Sequence, residues 1–245
     1  MLLEARGVSK AFDGFFAVRG VDFEVAPGEI VGIIGPNGAG KSTLFNCLAG
    51  EAGATAGHVR FDGADVTAAT PEAHARLGMA RTFQIPATFT DLTILENVMV
   101  GAFLRHPRAA DAREAAMRTI EFAELAGVAR LRAATLGTPG RKRLEIARAL
   151  ATEPRLLLLD EALAGLTPAE IRRAIDFVRE IHRRGVTLVI VEHVMEVILA
   201  LAQRVVVLNH GEVIASGVPE EVVNRREVVE AYLGRSLGGR REGAP

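Results

Sequence analysis

The stretch Gly35-Pro36-Asn37-Gly38-Ala39-Gly40-Lys41-Ser42-Thr43 constrains this chain more than any other. Residues 30–34 ahead of it form a short, apolar, β-branched run that reads as a buried strand. Leu44-Phe45-Asn46-Cys47-Leu48 behind it reads as the first turns of a helix. Strand, glycine turn and helix around G-x-x-x-x-G-K-[ST] form the pattern of a phosphate-binding loop. The glycines let several backbone N–H groups converge on a polyphosphate, and the helix N-terminus adds positive dipole. Lys41 is expected to reach the β- and γ-phosphates, and Ser42 to offer its hydroxyl to Mg²⁺. The 245 residues include only three lysines, Lys10, Lys41 and Lys142, so a compact ammonium at this position does not follow from abundance. The pattern predicts a nucleoside triphosphate ligand.

Composition narrows the class. The length suits one large α/β domain with a small inserted lobe. Hydrophobic residues are 49% and charged residues 24%, ordinary for a globular chain. A net charge of −1 gives no basic field, so no nucleic-acid partner is expected. One cysteine, Cys47, excludes an internal disulfide, fits a reducing compartment and reads as a core thiol. The N-terminus lacks the layout of a signal peptide, and the longest apolar runs, 156–159 and 197–202, are too short to span a bilayer. Any work at a membrane is expected to go through a partner.

In order, residues 3–12 and 17–25 read as strands about the turn Asp13-Gly14. Residues 58–61 and 79–83 are expected strands, with a short helix at 71–77 between them. From about 94 to 127 helical spacing (Ile94, Val98, Phe103; Ala116, Ile120, Ala123) replaces strand signals, predicting an inserted helical lobe. Its 105–118 segment reads as a solvated helix and loop. Residues 143–152, 168–184 and 195–202 are expected helices; 156–159, 186–191, 204–208 and 212–215 are expected strands. Two short helices follow near 219–224 and 227–233. The Gly- and Arg-rich tail 235–245 is expected to be disordered.

Two further strand ends carry chemistry. Residues 156–159 deliver Asp160-Glu161 beside the phosphate loop, where Asp160 can hold Mg²⁺ and Glu161 can polarise a water. Residues 186–191 deliver Glu192-His193 to the same edge, where His193 either contacts the γ-phosphate or is structural. Phe12, at a strand end, either stacks on a purine or belongs to the core.

Together these residues resemble the nucleotide-binding subunit of an ABC transporter over about residues 2–233. The fold so implied is α/β: a P-loop NTPase domain with a mixed β core, an antiparallel β subdomain and an inserted helical lobe. The single domain would cover 1–234, with the lobe at about 85–150. The resemblance implies ATP and Mg²⁺ as ligands, Phe12 and Val18 at the nucleotide, and Gln84 joining the Mg²⁺ site to the lobe. It implies Glu161, His193 and Gln84 in catalysis, and Ser42, Gln84 and Asp160 at the metal. The wording Arg143-Leu144-Glu145-Ile146-Ala147-Arg148-Ala149-Leu150, Ala164-Gly165-Leu166-Thr167-Pro168 and Glu230-Ala231-Tyr232-Leu233-Gly234 is similar to importers of branched-chain amino acids. The lipopolysaccharide-export ATPase is a close relative and stands as the alternative; non-transport and regulatory ABC domains are the others.

Three departures stand out. The family signature Leu-Ser-Gly-Gly-Gln appears as Leu136-Gly137-Thr138-Pro139-Gly140, so the hydroxyl position is Gly137 and the second glycine is Pro139, which has no N–H. A one-residue slip instead puts Thr138 and Gly140 in those roles. Ala162 replaces a usual proline, and Thr167 a usual acidic or amide residue. The implied mechanism is a sandwich of two such cassettes, homo- or heterodimeric, with Gly137 and Gly140 of one facing ATP on the other. Integral-membrane permease subunits are the implied partners, met at the cytoplasmic face of the inner or plasma membrane. The stretch 85–103, with Phe89, Leu92 and Leu95, is either their docking groove or local core.

Overall fold

In the computed structural model, which describes residues 1–83 and 87–233, the apolar runs lie side by side as strands. The expectations for Gln84 and for the tail 235–245 fall outside the described residues. Strands β1 (Leu3–Phe12), β2 (Phe15–Val25), β4 (Ala56–Phe61) and β5 (Ala64–Asp65) form an antiparallel sheet in the order β2-β1-β4-β5. Strands β3 (Ile30–Ile34), β6 (Met79–Arg81), β7 (Leu156–Asp160), β8 (Thr187–Val191), β9 (Arg204–Asn209) and β10 (Glu212–Gly217) form the second. Its order is β10-β9-β3-β8-β7-β6, with β9 and β10 antiparallel and the rest parallel.

Every residue of β3, β7 and β8 is buried, as continuous apolar runs require when both faces of a parallel sheet are covered. The four leucines 156–159 alone contribute roughly 6–12 kcal/mol of burial, enough to fix this run as a central strand. Register then sets the site. Ile33 pairs with Val191, and Val191 with Asp160, so three strands end in one row. The phosphate loop, Asp160-Glu161 and Glu192-His193 leave the sheet together at that edge.

Helix α1 (Lys41–Leu48) starts at the loop. Helices α2 (Pro71–Leu77), α3 (Ile94–Ala102), α4 (Ala109–Phe122) and α5 (Thr138–Leu150) follow. The stripes Ile94, Val98, Ala102 and Ala112, Ala116, Ile120 repeat every four residues and meet Leu144 and Ala147 of α5 in one core. Apart from buried Ala115 and the half-buried Met117, Thr119 and Phe122, the rest of α4 is exposed, as a solvated helix should be. Helices α6 (Pro168–Arg183), α7 (Met195–Leu201), α8 (Pro219–Val222) and α9 (Arg226–Leu233) complete the chain. Thr167 caps α6 in a reciprocal pair with Glu170, so a hydroxyl does there what an acidic or amide side chain would do. No helix among the described residues is long and apolar enough to cross a membrane.

Several boundaries differ from expectation by two or more residues, and two of them have a clear cause. Helix α5 begins at Thr138, not at 143, because Pro139 occupies its second position, where no N–H is needed for the helical ladder. Strand β6 stops at Arg81, not 83. The Phe83 N–H donates to the Glu145 carboxylate of α5 (2.9 Å) instead of to a neighbouring strand.

Candidate functional site

The loop 35–40 is shaped by glycines in conformations that side chains resist. Gly35 has φ 148° and Gly40 φ 99°. A Cβ at Gly35 would lie 2.1 Å from the Leu208 carbonyl oxygen, and one at Gly40 2.3 Å from that of Ala17. The loop folds over the Lys41 ammonium, which donates to the carbonyls of Gly35 (2.8 Å) and Pro36 (3.0 Å). Burial pulls the Lys41 pKa below its ordinary value, against the pull of Glu161 and Asp160. From the far end of the chain, the Tyr232 hydroxyl accepts a hydrogen bond from the Gly35 N–H at 2.8 Å.

A cleft of about 620 Å³ opens over this loop, lined by Asn37, Gly38, Ala39, Gly40, Lys41, Ser42 and Thr43. Phe15, Phe16, Ala17, Arg19, Glu161, His193, His210 and Glu212 line the rest. Two residues expected at the nucleotide, Phe12 and Val18, are not part of this lining. Phe12 is half exposed under the Lys10 ammonium (5.1 Å to the ring centroid), and the turn at Asp13-Gly14 puts Phe15 and Phe16 on the cleft wall instead. Val18 is fully buried and supports Gly40 and Gly211 from below.

The acidic edge is tightly built. Asp160 is buried; its Oδ2 accepts from Arg81 (2.8 Å), while its buried Oδ1 has no hydrogen-bond partner among the described residues. Arg81 also meets Asn46 (2.7 Å) and Glu51 (2.9 Å), between the rings of Phe45 and Phe83. Burial pushes the Asp160 carboxyl up, against the opposing effect of Arg81. Glu161 sits at φ 47°, a left-handed conformation costing a non-glycine residue roughly 1–2 kcal/mol. Its N–H donates to the Val191 carbonyl (2.9 Å), and its Oε1 accepts from His193 Nε2 at 2.7 Å, which places the proton on Nε2. Glu192, buried beside it, accepts from the Leu163 N–H (2.8 Å), and burial pushes its pKa up to about 7.

Residues 136–140 are not among those lining the cleft. Gly137 is the N-cap of α5, and Pro139 removes one of its first-turn donors. The Thr138 and Gly140 N–H groups remain at the helix end without intrahelical acceptors, an arrangement suited to an anion brought from outside. Neither Arg81 nor Tyr232 was expected at the site. Pairing of β6 with β7 (Arg81 opposite Leu158) carries the first, and no local signal carries the second.

A glycine-shaped loop at the end of a parallel strand, beside a buried aspartate and a histidine-bound glutamate, defines a phosphate-loop nucleotide triphosphatase. Comparison with known proteins carries this further. Residues 18–164 match the ABC transporter family, and residues 212–237 the family described as branched-chain amino acid ATP-binding cassette transporter. The chain belongs to the ABC transporter family and is one of its ATP-binding, ATP-hydrolysing cassettes. It is 37% identical to the high-affinity branched-chain amino acid transport ATP-binding protein BraF of Pseudomonas aeruginosa, covering 96% of this chain and 98% of that one. LivG of Escherichia coli, described in the same words, is 36% identical with the same coverage. The solved cassette MJ1267 in its ADP conformation superposes with a TM-score of 0.87 at 32% identity, covering 95% of this chain and 98% of that one. The cassette MJ0796, solved as a dimer after hydrolysis with ADP and Pi, gives 0.80 at 25% identity, covering 89% and 98%.

Proposed function

We propose that this chain powers import of branched-chain amino acids, or amino acids like them, by hydrolysing ATP beneath a pair of membrane permease subunits. The observation that carries it is the family match of the chain's C-terminal segment, 212–237, on a chain whose phosphate-loop cleft is complete. The loop N–H groups and Lys41 hold the ATP phosphates, and the wall of Phe15 and Phe16 takes the base. The Oδ1 of Asp160, without a hydrogen-bond partner among the described residues, and the exposed hydroxyl of Ser42 suit Mg²⁺, and the expected role of Gln84, which lies outside the described residues, is a further ligand. Mg²⁺ would supply charge neutralisation on the β- and γ-phosphates. Glu161 orients and deprotonates the attacking water, and His193 holds the glutamate and then meets the γ-phosphate. Gly137, Thr138 and Gly140, remote from the chain's own cleft, serve the ATP of a second cassette, identical or related, as the dimeric likeness supports.

The permease face is the groove of about 320 Å³ lined by Phe83, Val100, Leu104 and Arg148 beside exposed Phe89 and Phe103; Leu95 is core. The chain then works at the cytoplasmic face of the inner or plasma membrane without entering it. The test is uptake into proteoliposomes holding the chain with its co-purified membrane partners. ATP-dependent uptake of leucine, isoleucine or valine is expected, lost in Glu161→Gln. ATPase activity coupled to none of these solutes overturns the reading.

A further inference from the structure

Lys142 is a buried lysine whose placement none of the roles above explains. It lies one turn into α5 and is buried, where a lysine needs a reason. Its Nζ donates to the backbone carbonyl of Glu161 at 3.0 Å. Burial lowers its pKa, while Glu192, Glu145 and Glu161 raise it. Glu161 is thus held at each of its polar groups: the N–H by Val191, the carboxylate by His193 and the carbonyl by Lys142.

Packing does not replace that third hold. A cavity of about 240 Å³ opens between α5 and α6, lined by Lys142, Gly140, Ala162, Leu163 and Leu166, so the turn after Glu161 has open space along one side. What fixes it is polar: Lys142 on the carbonyl of Glu161 and Glu192 on the N–H of Leu163, a buried donor and a buried acceptor gripping one turn. A glutamate in a left-handed conformation returns to ordinary backbone angles unless its surroundings hold it there.

We infer that Lys142 is a positioning residue for ATP hydrolysis: reaching from the helix that begins at the signature, its ammonium locks the turn that aims Glu161 at the attacking water. The inference rests on Glu161 acting as the base. Its signature is a change in turnover without a change in nucleotide binding, because Lys142 faces the turn and not the cleft. An error of about an ångström in a reacting group is worth on the order of a hundredfold in rate.

The experiment measures steady-state ATPase in the assembled transporter for Lys142→Met, Lys142→Gln and Glu161→Gln, with thermal melts of each. Lys142→Met is expected to lose at least tenfold in kcat with KM for ATP within twofold of wild type, and Lys142→Gln, which keeps a donor, to lose less. Wild-type turnover in a Lys142→Met variant that melts cooperatively, alongside an inactive Glu161→Gln, overturns the inference alone. So does a rise in KM that accounts for the loss, or failure of both Lys142 variants to fold, which makes the residue structural. An active Glu161→Gln instead overturns the assignment of the base.

Discussion

Replacing Arg81 with methionine tests how the acidic edge is held. Methionine keeps much of the packing between Phe45 and Phe83 but removes the guanidinium that meets Asp160, Glu51 and Asn46. The Arg81 and Asp160 side chains are only 11% and 4% exposed, so solvent replaces little of what is lost. Removing one partner of a buried pair costs about 3–5 kcal/mol, because the remaining charge is stranded. At about 2–4 °C per kcal/mol for a chain this long, the midpoint should fall by roughly 6–20 °C. The pH dependence has a definite sign. Asp160 is already raised by burial, and losing Arg81 raises it further. A carboxyl whose folded pKa exceeds its unfolded one is relieved by protonation, so the deficit of the variant should shrink as pH falls. Adding Asp160→Asn removes the stranded charge and should restore at least about 2 kcal/mol. The measurement is calorimetric melting of wild type, both single variants and the double variant over a range of pH. A loss below about 1 kcal/mol in Arg81→Met, or a second loss on adding Asp160→Asn, refutes the reasoning.

Other outcomes follow from the same contacts. Lys41→Ala should abolish most ATP affinity by calorimetry, since it removes the cation inside the loop; unchanged affinity would count against the phosphate-loop assignment. For Glu192, folded pKa about 7 against an ordinary 4.5 means the folded state keeps a proton the unfolded state has lost, so stability falls as pH rises between these values, by up to roughly 3 kcal/mol. Glu192→Gln should flatten that slope while keeping an acceptor for Leu163, and an unchanged pH profile of the melting midpoint would contradict it. Thr167→Ala should cost about 1 kcal/mol by losing the α6 cap, and Thr167→Asn should be neutral, both read from denaturant midpoints.

The residues show why some of this was legible in sequence and some was not. The phosphate loop, the buried strands and the start of α6 rest on neighbours within a few residues, where glycine conformations, apolar runs and a proline at the first helical position act locally. Arg81, Glu145, Lys142 and Tyr232 take their meaning from residues 19 to 197 positions away, brought near by sheet register and helix packing. The start of α5 was missed because Gly137-Thr138-Pro139-Gly140 carries two glycines and a proline, all breakers inside a helix, while at its first turn they are tolerated. Which of Phe12, Phe15 and Phe16 faces the cleft is decided by a two-residue turn whose direction the residues alone do not give.

The bond between Tyr232 and Gly35 has a consequence for how this protein is made. The two residues are 197 positions apart, and at roughly 5–20 residues per second the ribosome takes on the order of 10–40 s to cover that distance. For that interval the first glycine of the loop has been synthesised and its acceptor has not. Strands β8 and β9, which flank β3, also arrive more than 150 residues later. The loop therefore leaves the ribosome long before the residues that finish it, so nascent chains halted before residue 232 should bind nucleotide poorly however well the portions already made collapse.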